Sequence, residues 1–112
     1  MREKVIIFDG NETHEVGLDY FFQHPIIRDL SMHQVVDYYH SNRIYIHTLE
    51  QAISNSENSK YFSRMNDEYN RCKKGLVLIT DMMFDMCGKD ISYAVIEQIN
   101  ELINSDNEKV KI

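Results

Sequence analysis

Three histidines spaced seven residues apart are the first candidates for chemistry in this sequence. His33, His40 and His47 recur at that interval, with Asp37 between the first two. On a helix, His33, Asp37 and His40 would be neighbours on one stripe, which is an arrangement that suits a metal site or a pH-sensing surface. His40 and His47, however, would lie about 10 Å apart along the helix axis, too far to share one ion. We therefore interpret the stripe as a solvated polar face and predict no metal site.

Side chains suited to nucleophilic or acid–base catalysis are few. Nucleophilic catalysis needs an activated serine or cysteine near a histidine and an orienting acid. Cys72 and Cys87 both fall at apolar positions, where burial raises the pKa of a thiol and lowers its reactivity. Asp81 and Asp85 share a helix face, as solvated acidic pairs commonly do. The sequence has no glycine-rich phosphate loop, no paired-cysteine zinc spacing and no His-Glu-x-x-His motif. We predict a protein that is not an enzyme and needs no cofactor, and we keep an enzyme with an unfamiliar site in reserve.

The size and charge of the chain exclude several functional classes. Its 112 residues match the common size of one domain, and 43% hydrophobic with 27% charged residues suits a globular chain. Twelve basic and eighteen acidic residues give a net charge of -6, so the phosphates of a nucleic acid would be repelled and direct nucleic-acid binding is not expected. No apolar run is long enough for a signal peptide or a membrane span. We therefore expect a cytoplasmic protein without membrane contact.

A polar cap and a repeating apolar pattern predict the first helix over residues 31–54. Ser31 and Gln34 are spaced as a capping box, in which each side chain bonds the other residue's backbone N–H. Leu30 and Val35 flank this cap as a hydrophobic staple. Apolar residues then alternate at intervals of three and four, which is the heptad pattern of a packed helical seam. The seam consists of Met32, Val35, Tyr39, Asn42, Ile46, Leu49 and Ile53.

Asn42 is the polar residue of this seam, and two interpretations of it remain open. A lone asparagine in a seam can set the register and the number of partner helices at some cost in stability. Alternatively, its side chain faces solvent where the structure narrows.

A second heptad series predicts a helix over residues 59–87, after a polar loop. Two such series joined by a short loop predict an antiparallel helical hairpin. The run Gly75–Thr80 would also serve as a buried strand, but the heptad phase continues through it to Met83, which favours helix. The second seam consists of Phe62, Met65, Tyr69, Cys72, Leu76, Ile79, Met83 and Met86.

Shorter segments at both ends complete the predicted fold. Residues 1–30 begin with a β-hairpin pattern and continue as an irregular apolar segment. Gly88 is placed to end the second helix and Asp90 to cap a third over residues 90–104, followed by a frayed tail at 105–112. The predicted inward face of the third helix consists of Ile91, Val95, Ile99 and Leu102. The sequence thus predicts one mainly α domain, an antiparallel helical hairpin with heptad seams plus a third C-terminal helix and a small N-terminal β-hairpin.

The distribution of apolar residues along the hairpin predicts a core end and a projecting arm. Residues 76–87 are apolar on nearly every side, so we expect them to be buried all round, whereas residues 42–74 should form a narrower arm. Such an arm leaves its apolar side chains half covered, and tyrosines favour interfaces because they bury area while keeping a polar tip. The predicted partner-binding residues are Tyr38, Tyr45, Leu49, Ile53, Tyr61, Phe62, Met65 and Tyr69.

These features favour a non-enzymatic protein–protein interaction module, a small acidic adaptor or inhibitor that binds another protein. A homodimer formed through the arm is one way to cover it. The main alternative is a mobile-element, phage-type inhibitor of a nucleic-acid enzyme that acts as a partial DNA mimic, although the net charge of -6 is modest for this and the acids are dispersed. The affinity of a DNA mimic for its partner should fall steeply as the salt concentration rises, while the affinity of an apolar interface should change little. The carboxylates available for mimicry are Glu12, Glu15, Asp19, Asp67, Glu68, Asp81 and Asp85.

Overall fold

The fold is mainly helical, with three helices and a small antiparallel β-hairpin, as predicted. The computed structural model describes residues 3–55 and 60–110, and side chains as far as residue 105. The helices are α1 (Met32–Asn55), α2 (Phe62–Cys87) and α3 (Lys89–Val110). Within the described ranges, no helix combines the length and apolar character needed to cross a membrane.

The N-terminal hairpin consists of β1 (Lys4–Phe8) and β2 (Thr13–Gly17). The strands pair antiparallel, and Phe8 lies opposite Thr13 next to the turn. Gly10 occupies the turn with a φ of 102°, a backbone conformation that glycine adopts without steric cost. After β2 the chain forms a short 3₁₀ helix (Leu18–Gln23) that leads towards α1.

The start of α1 follows the predicted capping box. The backbone N–H of Gln34 donates to the Ser31 hydroxyl at 3.2 Å, and the Gln34 side-chain oxygen accepts from the Ser31 N–H at 2.8 Å. The seam behind this cap is buried from Val35 to Leu49, whereas Met32 is exposed and Ile53 is half-buried. The periodicity therefore identified the inward face of α1, and only the ends of the seam reach solvent.

The helical hairpin is formed by α1 and α2, and α2 continues without interruption through residues 75–80. The strand alternative for this run is therefore wrong. The hairpin strand β1 packs directly on α2 at Gly75. A Cβ atom there would lie 2.6 Å from the backbone oxygen of Ile6 and 2.8 Å from Cδ1 of Ile7, so only glycine allows this approach.

The third helix differs from its prediction in length and in orientation. It begins at Lys89, so Asp90 lies in its first turn instead of capping it, and it stays helical to Val110. The predicted frayed tail is thus helical as far as Val110, and residues 111–112 lie outside the described residues. Gly88, with a φ of 84°, ends α2 as predicted. The inward face was partly misassigned: Ile91 and Leu102 are exposed, and the buried positions are Ser92, Ile99 and Ile103.

The displaced face of α3 has a physical cause at its crossing with α2. The Ser92 hydroxyl donates to the backbone oxygen of Met83 at 3.2 Å, so a small polar residue fills the contact where an apolar one was expected. This hydrogen bond rotates Ile91 outward, because neighbouring residues on a helix point about 100° apart.

The core has two parts, and β1 lies between them because successive strand residues point to opposite faces. Val5 and Ile7 enter the main cluster, which α1, α2, α3 and the 3₁₀ helix complete. Ile6 joins a smaller cluster with Ile46, Leu49 and Cys72. The predicted arm is therefore supported by β1 over its inner half, and it is shorter than the pattern of residues 42–74 suggested.

The expectation that residues 76–87 are buried all round is wrong. Ile79 and Met83 are fully buried, but Val77 is 59% exposed on the opposite side of the helix. Asp81 and Asp85 are also exposed, and Leu78 and Phe84 are half-buried. The inner face of this segment is covered by the rest of the core, and its outer face leaves Val77 open beside the two aspartates.

Candidate functional site

Asn42, the polar residue of the first seam, is an internal connection between α1 and β1. Its side chain is 1% exposed, so the solvent-facing interpretation is wrong. Its Oδ1 accepts from the Phe8 N–H at 2.9 Å, and its Nδ2 donates to the Phe8 oxygen at 2.9 Å and to the Tyr38 oxygen at 2.7 Å. The amide thus pairs with β1 as a neighbouring strand would, and it fixes the position of the hairpin on α1.

The histidine stripe is not uniformly solvated. His33 and His40 are exposed, as predicted, but His47 is buried. The physical reason is the position of α3. One helical turn before His47, Arg43 donates to the Asn100 side chain of α3 at 2.7 Å, so this side of α1 faces another helix.

A cluster of titratable side chains that the sequence analysis did not anticipate closes the turn of the β-hairpin. The ligand atoms of Asp9, Glu12 and His14 lie within 4.8 Å of one another. Nε2 of His14 lies 2.7 Å from Oδ2 of Asp9 and 3.8 Å from Oε1 of Glu12. The other Asp9 oxygen accepts from the backbone N–H groups of Asn11 and Glu12. The Glu12 N–H, followed by His14, lowers the pKa of Asp9 to about 2. These bonds occupy both Asp9 oxygens within the turn, which gives the cluster a structural role.

The tyrosines of the arm are tied to the opposite helix. The Tyr45 ring stacks on Phe8 at a centroid distance of 4.7 Å, and its hydroxyl donates to Glu68 at 2.6 Å. Tyr69 donates to Glu50 at 3.0 Å. Burial, followed by the Glu68 carboxylate, raises the pKa of Tyr45. These two tyrosines therefore connect α1 and α2 within the chain.

The other predicted partner-binding residues differ in their accessibility. Leu49 is buried, so the expectation that the arm leaves it half covered is wrong. Tyr38 is half-buried against the main core. Tyr61 is exposed at the outer end of the arm. Three further members, half-buried, are Ile53, Phe62 and Met65.

A groove of about 610 Å³ runs along the arm beside the hairpin, and we call it the arm groove. Ile6 and Met65 contribute apolar surface to it. Its principal cation, Arg71, lies 3.1 Å from Asp67 and 3.9 Å from Glu15. The charges of the arm groove are therefore largely neutralised by one another.

A second groove lies on the outer side of α2, at the other end of the molecule. It has a volume of about 430 Å³ and is lined by Phe22, Asp81, Met82, Asp85 and Met86; we call it the α2 outer groove. The 3₁₀ helix positions Phe22 there because the neighbouring Phe21 is anchored in the core. The two rings meet edge to face at 5.2 Å. Phe22 remains 58% exposed, so its ring is available at the edge of this groove.

The two carboxylates of the α2 outer groove are available for an external partner. Asp81 and Asp85 lie one turn apart on the exposed face, and they have no ion pair or hydrogen bond within the described ranges 3–55 and 60–105. Most other carboxylates considered for DNA mimicry differ in this respect. Glu15 and Asp67 pair with Arg71, and Glu68 accepts from a tyrosine.

The two thiols are free, and neither lies in an activating environment. Burial, followed by Glu68, raises the pKa of Cys72 to about 12, which keeps this thiol protonated and inert. Cys87 is half-buried against the main core.

The α2 outer groove combines the exposed Phe22 ring with two carboxylates that have no partner within the described residues. Sequence reasoning located Asp81 and Asp85 on one helix face but missed Phe22, because its position depends on how the 3₁₀ helix packs. No protein-family model, no curated protein and no solved structure significantly matches this chain, so the functional argument comes from the residues and their geometry.

Proposed function

We propose that the protein is a non-enzymatic protein–protein interaction module, an adaptor or inhibitor, and that it binds its partner through the α2 outer groove. The observation that carries this proposal is the exposure of Phe22 beside Met82 and two unpaired carboxylates. An exposed apolar patch with a polar rim is typical of a protein-binding surface.

The composition of the α2 outer groove favours binding over catalysis. Its lining offers two carboxylates on an exposed helix face, and the five residues that form it include no histidine, cysteine or hydroxyl group. General acid–base and nucleophilic catalysis need groups held near one another in a partly enclosed site. A shallow apolar groove with an acidic rim suits recognition of another chain better. We also place the protein in the cytoplasm, where free thiols such as Cys72 and Cys87 stay reduced.

The arm receives less support as the main contact surface. Tyr45 and Tyr69 already donate hydrogen bonds within the chain, and Leu49 is buried. A homodimer would have to use the outer end of the arm, around Tyr61 and Met65. Partial DNA mimicry is also less supported, because internal pairing of the acidic side chains reduces the number of free charges.

Capture experiments from the source cell would test this proposal. Three baits should be compared: the parent chain, Phe22→Glu in the α2 outer groove and Tyr61→Glu at the outer end of the arm. Both side chains are about half exposed, so both variants should fold, which circular dichroism can verify. We expect the parent and Tyr61→Glu to capture the same protein and Phe22→Glu to lose it. Loss through Tyr61→Glu alone would assign the contact to the arm instead.

A further inference from the structure

We propose that the α2 outer groove selects a basic amphipathic helix, one whose apolar side chain enters beside Phe22 while two cationic side chains contact Asp81 and Asp85. This inference rests on the proposed function and specifies the chemistry of its partner. It follows from three observations: an open apolar groove, a pair of unpaired carboxylates, and the spacing between those carboxylates.

Residues 76–87 carry apolar side chains that the fold covers only in part. Ile79 and Met83 of this segment are fully buried in the main core, and Met82 and Met86 pack against that core from its edge while staying partly open. Val77 is nevertheless exposed, and Met82 is half-buried at the edge of the groove. Burial of such side chains against a partner is favourable in proportion to the apolar area that leaves water. The outer face is therefore suited to an apolar contact that the chain itself does not provide.

Asp81 and Asp85 give the α2 outer groove a local negative charge. They lie side by side on one face, about 6 Å apart along the axis at the standard helical rise. Two like charges at this spacing repel each other mildly, and within residues 3–55 and 60–105 neither of them forms an ion pair. In the arm groove, by contrast, Arg71 neutralises its acidic neighbours. An external cation would remove the repulsion at the α2 outer groove.

The spacing identifies the shape of the partner. Lysine or arginine side chains at positions i and i+4 of a helix are also about 6 Å apart along their axis, so they match the two carboxylates. An apolar residue on the same helical face can then reach the space between Phe22 and Met86. Helices that lay an apolar face into a groove are a common mode of recognition, and basic residues beside that face supply specificity.

The chain offers a clean way to measure such binding. It contains no tryptophan, so the fluorescence of a tryptophan placed in a ligand reports the ligand alone. The probe is a short synthetic helical peptide of leucine and lysine with one tryptophan on its apolar face. A matched peptide carries glutamate in place of each lysine. We expect the lysine peptide to show a blue shift and a rise in anisotropy when the protein is added, and the glutamate peptide to show neither.

Two double variants, each of which removes two negative charges, show where on the protein the lysine peptide binds. Asp81→Asn with Asp85→Asn should weaken binding of the lysine peptide roughly tenfold, because each exposed ion pair contributes a factor of a few. Glu97→Gln with Glu101→Gln removes an exposed acidic pair of the same spacing from α3, and it should leave the affinity unchanged. Phe22→Ala should weaken binding as well, and raised salt should reduce the affinity of the parent.

The inference is overturned if the lysine peptide does not bind, if both acidic pairs matter equally, or if binding ignores charge altogether. Equal effects would mean general attraction to a chain of net charge -6. Failure of the peptide together with Phe22-dependent capture from the cell would leave the proposed function intact and refute only the basic partner. Peptide binding as expected without any captured protein would refute the proposed function and keep the chemistry of the groove.

Discussion

Residues 62–75 of α2 connect several polar side chains to other parts of the chain, whereas the two aspartates of residues 76–87 face outward. In the first part, Arg71 joins two carboxylates, Tyr69 bonds α1 and Lys74 bonds Glu3. In the second part, the inner side chains fill the core and the acidic outer ones have no described partner. Within this helix, a surface open to a partner is therefore better identified by unpaired charge beside exposed apolar area than by apolar residues alone.

The largest expected change in the free energy of unfolding distinguishes the inner and outer faces of residues 76–87. Met83→Asp places an unpaired carboxylate in the core, where burial of a charge costs several kcal/mol by typical magnitudes. Val77→Asp adds the same group to the exposed face, where changes usually stay within about 0.5 kcal/mol. Chemical denaturation of both variants measures the difference. Similar midpoints would show that the inner and outer faces have been misassigned.

Gly75→Ala tests the junction between the two parts. The added Cβ would meet the Ile6 backbone oxygen at 2.6 Å. Overpacking of this kind costs about 1–3 kcal/mol, more than the roughly 1 kcal/mol that alanine contributes to a helix over glycine. Gly17→Ala is the matched control, because nothing lies within 4 Å of its added carbon. Thermal unfolding should show a loss for Gly75→Ala only, and a stabilised variant would mean that β1 does not lie on α2 so closely.

A smaller effect is expected from Tyr45→Phe, which removes the hydroxyl that bonds Glu68 and keeps the ring stacked on Phe8. The loss of one partly exposed hydrogen bond to a carboxylate costs about 1 kcal/mol. Tyr93→Phe, at an exposed position of α3 whose hydroxyl has no hydrogen bond within the described residues, serves as the control in urea unfolding. An unchanged Tyr45→Phe variant would mean that the arm does not depend on this connection.

The smallest expected effect is the loss of stability at the β-hairpin turn when the pH is lowered. The pKa of Asp9 is lowered to about 2 in the folded chain, compared with an ordinary value of 3.8. The ionised carboxylate therefore contributes stability above pH 4, and this contribution disappears as pH falls from about 4 towards 2. Asp9→Asn should flatten that part of the stability–pH curve relative to Asp37→Asn. If both variants keep the slope of the parent, Asp9 is not held by its turn.

The sequence predicted those parts of the fold that depend on local spacing. The capping box at Ser31 and the buried seam from Val35 to Leu49 follow from helical periodicity, which neighbouring residues determine. The face of α3 did not follow, because the Ser92 hydrogen bond to Met83 forms only when two helices cross. The burial of His47 depends likewise on the path of α3.

The candidate site was predicted only in part, for a related reason. The high apolar content of residues 76–87 was visible in the sequence, where it predicted burial on all sides. In the structure the outer face of this segment is exposed to solvent. Phe22 could not be assigned to this surface, because periodicity says little about a short 3₁₀ helix of six residues. The tyrosines of the arm were interpreted as contacts for a partner, and two of them serve as contacts between helices.

The position of β1 on α2 has a consequence for the order of folding. Residues that meet where the hairpin packs on the helices are far apart in the chain: Glu3 and Lys74 of α2 differ by 71 positions, and Phe8 and Asn42 of α1 by 34. During synthesis the β-hairpin leaves the ribosome before the helices, at about 5–20 residues per second, and the surface that receives it is completed seconds later. Contacts of such long range form after local ones, because closing a long loop costs entropy before any contact is gained. The nascent chain therefore carries the apolar strand Lys4–Phe8 uncovered until α2 is made, and this interval is when chaperones or aggregation would act on it.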